Sequence, residues 1–98
     1  MREKNIEETL RQTVKCKGGL ALKFVSPGFD GVPDRLVLLP EGRIAFVEAK
    51  APNKKPRPLQ LARHRMLRQL GFRVYVLDCK EDIAKFIKEM MNDEIHST

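Results

Sequence analysis

Ninety-eight residues suffice for one modest core and leave no room for a second domain. Forty-two per cent of them are hydrophobic and a third are charged, an ordinary globular composition that excludes wholesale disorder. No apolar run approaches a membrane span and the N-terminus is too polar for a signal peptide, so the expectation is an intracellular protein with no membrane partner; a formal charge of +6 adds a polyanionic partner, without separating DNA from RNA.

The chain opens with a pattern that predicts a helix over about 2–17, ended by Gly18-Gly19. Ile6, Leu10 and Val14 recur at helical spacing as its buried stripe. Glu7 borders that stripe, Glu3 lies one turn earlier, and Glu8 falls on the polar side with Arg11, Gln12 and Lys15. A strand over 21–26 follows, in which Leu20, Leu22 and Phe24 alternate with Ala21, Lys23 and Val25. The turn-rich stretch Pro27-Gly28-Phe29-Asp30-Gly31 leads out of it.

Two apolar runs, 35–39 and 44–47, flank Pro40-Glu41-Gly42 and predict a β-hairpin. Pro40 fits the first corner of a type I turn and Gly42 the left-handed position that closes a three-residue loop. That register sets Leu39 against Arg43 and Asp34 against Glu48, with Lys50 on the face of Glu48 because side chains alternate along a strand. Two carboxylates and an amine then converge at one end of an otherwise apolar hairpin. Like charges facing each other destabilise a sheet, so the cluster calls for a compensating divalent cation, Mg²⁺ or Mn²⁺. Such a set suits metal-assisted phosphodiester hydrolysis, with the ammonium orienting the water or stabilising developing charge. The alternative is a hairpin cap at Asp34 and a solvated Glu48–Lys50 pair.

Residues 51–58, Ala-Pro-Asn-Lys-Lys-Pro-Arg-Pro, hold three prolines and three basic residues and cannot be helical throughout. They read as a loop that brings Lys54, Lys55 and Arg57 to the phosphate backbone, or as a solvated connector. Lys23 and Arg35 are further candidate phosphate contacts. Pro58 suits the first position of a helix running to Leu70, with Gly71 as its stop. Leu59, Ala62, Met66 and Leu70 form its expected buried stripe, with Gln60, Arg63, His64 and Leu67 along a neighbouring face. Arg63 and His64 are candidate nucleic-acid contacts there, and His64 reads as a surface residue rather than a general base.

Residues 73–77 form an apolar run short enough for a buried strand. Asp78 and Glu81 have capping-box spacing and open a last helix to about residue 91. Its broad stripe of Ile83, Phe86, Ile87, Met90 and Met91 should pack on the sheet, or serve a dimer contact; residues 92–98 should fray. Cys16 and Cys79 read as unpaired thiols with no zinc-like spacing to either histidine. The order α-β-β-β-α-β-α predicts one α/β sandwich around a mixed sheet, with a parallel crossover over 44–77.

Three segments carry a family resemblance: Gly31-Val-Pro-Asp34-Arg, Phe46-Val-Glu48-Ala-Lys50-Ala-Pro, and Pro56-Arg-Pro-Leu-Gln60. Together they resemble the PD-(D/E)XK nuclease superfamily and, more narrowly, the stand-alone virus-type replication-repair nuclease (VRR-NUC) domains found in phages, over about residues 3–78. Ala49 stands where a larger apolar residue is common. The resemblance implies a restriction-endonuclease-like α/β fold over the whole chain and a metal-dependent DNA endonuclease. It also implies branched DNA such as four-way (Holliday) junctions as substrate, a homodimer, and action in the cytoplasm of a bacterial host. Asp34, Glu48 and the Ala49 backbone carbonyl would hold the metal, with Glu7 as the helical acid acting directly or through water. Lys50 would serve the water and Gln60 would shape the site. A different class remains open: a non-catalytic nucleic-acid-binding module on the same fold, or a nuclease acting on free ends.

Overall fold

The computed structural model describes residues 2–92. Helix α1 (Glu3–Cys16) is followed by strands β1 (Leu20–Lys23), β2 (Arg35–Leu39) and β3 (Arg43–Ala49), helix α2 (Pro58–Gln69), strand β4 (Arg73–Leu77) and helix α3 (Lys80–Met91). The strands form one mixed sheet in the order β1-β2-β3-β4, antiparallel except for the β3–β4 pair, as the alternation and the crossover predict. The expected fraying of the tail concerns residues that, beyond Asn92, lie outside those described.

The sheet has two unlike faces. On one lie Ala21, Val37, Ala45, Val47 and Leu77, packed against Ile6, Leu10 and Val14 of α1 and against Ile83, Phe86, Ile87 and Met90 of α3. These side chains are the close-packed core, and Tyr75 meets the Phe86 ring edge-on at 4.7 Å. The broad stripe of α3 is therefore spent inside the molecule and is not free for a dimer contact. The other face carries Phe24, Phe46 and Phe72 in a ring series, with centroids 5.5 and 5.7 Å apart. One helix covers it: α2, in the crossover that follows β3.

Several local expectations are corrected. Strand β1 ends at Lys23, short of the expected residue 26, although the Phe24 N–H still donates to the Asp34 carbonyl (2.9 Å). Strand β3 runs on to Ala49, because β4 continues the pairing as far as Ala49 and Leu77. β4 itself is an edge strand, not a central one. In the hairpin Leu39 does face Arg43, and Gly42 is left-handed (φ 75°), but so is Glu41 (φ 68°). A left-handed non-glycine residue costs about 1–2 kcal/mol, offset here by Arg43, which donates to the Pro40 carbonyl (3.1 Å) and pairs with Glu41 (3.2 Å). The last helix has Cys79, not Asp78, as its N-cap, and the Asp78 carboxylate instead accepts the Asn53 N–H at 3.3 Å.

The largest correction is the rotation of α2. Pro58 opens the helix and Gly71 (φ 99°) follows its end, as predicted. Yet Leu59, Met66 and Leu70, placed in the core by their spacing, are exposed, and the buried residues are Gln60 and His64. The physical reason lies on β3. Glu48 projects toward α2, and a buried carboxylate without hydrogen bonds costs far more than an exposed leucine.

Candidate active site

Strand register assembles the site. Arg35 pairs with Val47, so the next rung outward sets Asp34 opposite Glu48, as the hairpin predicts. The Ala49 N–H donates to Asp34 Oδ1 (3.2 Å) and ties the residue before β2 to the end of β3. Lys50 Nζ stands 3.4 Å from Glu48 Oε2. Gln60 Nε2 donates to the same oxygen at 3.1 Å, while its Oε1 accepts the Arg57 N–H at 2.8 Å. Gln60 thus satisfies the first turn of α2 with one end and holds Glu48 with the other. A first-turn glutamine has the reach for both.

Electrostatics mark the pair of carboxyl groups. Burial, then the charge of Glu48, pushes Asp34 up to about 7. Burial also raises Glu48, against the pull of Lys50. Glu48 Oε2 has two partners, but Oε1 is buried with none among the described residues. Two partly buried carboxyl groups on neighbouring strands, one oxygen of them orphaned, stand beside a single ammonium. Hard oxygen donors of this kind fit a divalent cation.

The other sequence candidates fall into two groups. Lys23, Lys54, Lys55 and Arg57 are exposed, the last three on the loop between β3 and α2 that borders the site. Arg35 and Arg63 are engaged elsewhere, and His64 is buried. Arg35 is buried on the α1 side, donating to Glu7 Oε1 (2.9 and 3.2 Å) and to the Ala21 carbonyl. Arg63 donates to the Asp30 carbonyl (2.7 Å), and its guanidinium lies 3.8 Å above the Phe29 ring, pinning the loop before β2. Gly31 in that loop has φ 90°, and a Cβ there would meet Leu59 Cγ at 2.9 Å. His64, expected at the surface, is fully buried, and neither ring nitrogen has a partner among the described residues. Burial and the nearby Arg68 and Lys50 charges push it down, toward the neutral form.

Glu7 is half-buried and neutralised by Arg35, while its charge, like that of Glu3, still bears on Asp34. Glu3 also bears on Glu48. Asp78, Cys79 and Asp82 form a second grouping whose ligand-type atoms lie within 4.8 Å of one another, which sequence spacing did not suggest. They meet because the end of β4 runs directly into α3.

Comparison with known proteins bears on the family and the fold. The VRR-NUC domain family matches residues 1–81. The chain belongs to the VRR-NUC family. It is 56% identical over 81 residues to "Putative nuclease p44" of Acyrthosiphon pisum secondary endosymbiont phage 1, covering 83% of this chain and 87% of that protein. A solved structure described as a VRR_NUC domain superposes with a TM-score of 0.83 at 37% identity, over 88% of this chain and 94% of that one. The fold is thus that of a VRR-NUC domain, and the family and its phage relative make this a nuclease. Among the described residues no helix is long and apolar enough to cross a membrane.

Proposed function

We propose that this VRR-NUC domain is a metal-dependent endonuclease that hydrolyses phosphodiester bonds in DNA. Its substrate would be branched DNA such as four-way junctions, cut by a homodimer in the cytoplasm of the phage's bacterial host. The observation that carries the reading is the orphaned, buried Glu48 Oε1 beside an Asp34 whose carboxyl is pushed up to about 7. A site so arranged is costly without a cation.

Asp34, Glu48 and the Ala49 carbonyl would hold Mg²⁺ or Mn²⁺, and Glu7, with one oxygen taken by Arg35, would join through water. Bound there, the cation would polarise the phosphate and acidify a water. Lys50 holds an ammonium beside Glu48, where it orients the attacking water and offsets charge growing on the phosphate oxygens. Gln60 fixes the Glu48 carboxylate so that Oε1 stays turned to the ligand. Lys23, Lys54, Lys55 and Arg57 grip phosphates on either side, which supplies affinity without base specificity.

The test is cleavage of labelled four-way junction, flap and linear duplex DNA, with and without Mn²⁺, beside Lys50→Ala. Cutting of the branched substrates should need the metal and fall by about 10²–10⁴-fold in the variant. Full turnover by Lys50→Ala removes the role given to Lys50, and binding without cutting in the presence of Mn²⁺ removes the nuclease reading.

A further inference from the structure

The loop between β1 and β2 holds an aromatic ring that the core does not use. Phe29 is 38% exposed. Its ring lies against the Arg63 guanidinium of α2 at 3.8 Å, and that guanidinium is itself fixed by donating to the Asp30 carbonyl at 2.7 Å. Two further contacts hold the loop. The Phe29 N–H donates to the Ser26 carbonyl (3.1 Å), and Gly31 lies so close to α2 that a Cβ would meet Leu59 Cγ at 2.9 Å and Arg63 Cγ at 3.1 Å. Phe24, Phe46 and Phe72 pack on one another over the sheet, whereas Phe29 is paired with a cation and held in solvent.

The ring is held beside the site. Phe29 precedes Asp34 by five residues, so even a fully extended chain would keep it within about 18 Å of that carboxylate. The basic loop with Lys54, Lys55 and Arg57 arrives at the same place. It ends in Arg57, the N-cap of α2, and Leu59 in the first turn is the residue that adjoins Gly31. Exposed cations, the carboxyl pair and an exposed ring therefore meet around the N-terminal end of α2. Cations beside a stacking ring are the combination by which proteins hold unpaired strands, the cations following the phosphates and the ring taking a base.

We infer that Phe29 is a base-stacking platform that takes the face of an unstacked base at the branch point of the DNA. The inference rests on the branched-DNA reading above and names the feature by which a branch is recognised. Inside a duplex both faces of every base are covered by its neighbours. A phenyl ring gains contact only where the stack is interrupted, at a flap or at the open centre of a junction. Phosphate contacts by Lys54, Lys55 and Arg57 position the protein on any duplex and cannot make that distinction. Stacking on Phe29 adds a contact that only interrupted DNA supplies. Arg63 is the positioning residue: it lies on the ring and ties down the loop, so the exposed side of the ring is presented with little left to order on binding.

Binding of labelled flap DNA by the metal-free protein tests this without cleavage. Phe29→Ala should weaken binding about tenfold, and Phe29→Tyr should keep it. Abasic residues at the branch preserve the phosphates and remove the stacking faces. They should weaken the wild type by the same factor and cost Phe29→Ala nothing further. The chain has no tryptophan, so Phe29→Trp places a single reporter at the platform. Its emission should be quenched by the flap that carries bases and not by the abasic flap. Additive losses from the variant and the abasic DNA, or equal emission with both flaps, overturn the platform. No binding to any DNA overturns the branched-DNA reading with it, whereas stacking without cleavage in Mn²⁺ bears out the platform and removes the nuclease reading alone.

Discussion

The two faces of the sheet divide the work of the molecule. Toward α1 and α3 the sheet presents aliphatic side chains that are almost fully buried, and the Arg35–Glu7 ion pair there closes on itself at 2.9 Å. Toward α2 it presents a carboxylate row and apolar rows still open to solvent, and α2 sets against it a buried histidine with no partner among the described residues. The difference teaches where stability and chemistry reside. Close packing requires that every group find its partner inside the molecule, whereas a site must leave some group unsatisfied until a ligand arrives.

Truncation on each face gives the largest contrast. Leu10→Ala empties part of the α1–α3 side and should cost about 2–5 kcal/mol in urea unfolding. Leu22→Ala, at a side chain 43% exposed, should cost less than about 1 kcal/mol when the chain is monomeric. Equal costs would erase the distinction between the faces. The effect of Gln60→Ala is smaller and falls on chemistry: cleavage or metal affinity should drop by about 10–100-fold. Gln60→Glu, which keeps size and adds a like charge beside Glu48, should not rescue it. A variant that loses stability but keeps turnover would move Gln60 from the site to the scaffold.

A further effect is in pH. Asp34 titrates near 7 in the folded chain against an ordinary value of 3.8, so between those limits the folded state holds a proton that the unfolded state has released. Its contribution to stability is complete below about pH 4 and is lost as pH rises to about 7. Glu48, also raised, acts in the same sense, while His64, lowered by burial, acts oppositely as pH falls below its ordinary 6.5. The metal-free protein should therefore lose stability toward pH 8 relative to Asp34→Asn, and Mn²⁺ should restore the wild type alone. Parallel pH profiles for wild type and variant would remove the buried charge from Asp34.

Much of this was legible in the residues, and the exceptions share a cause. Ile6, Leu10 and Val14 are buried as their spacing requires, because a helix on the close-packed face needs only an apolar stripe. Asp34, Glu48 and Lys50 meet because hairpin register and period-two alternation are local geometry. Gln60 reaches Glu48, a contact that spacing did not show, since it placed Gln60 merely beside the expected core stripe.

What depended on the third dimension is the α2 side. Periodicity identified the apolar stripe of Leu59, Met66 and Leu70 correctly, but a stripe says only that those residues share a flank. Which flank turns inward was decided by Glu48, a charge on another element that needed Gln60 more than the sheet needed leucine. The same burial drew in His64, and the α1 contact that engages Arg35 took a chosen phosphate ligand out of reach. The sequence by itself determined the elements, the hairpin and the chemical set; the partner of each buried charge was a tertiary choice, because desolvation depends on what lies across the gap and not on what lies along the chain.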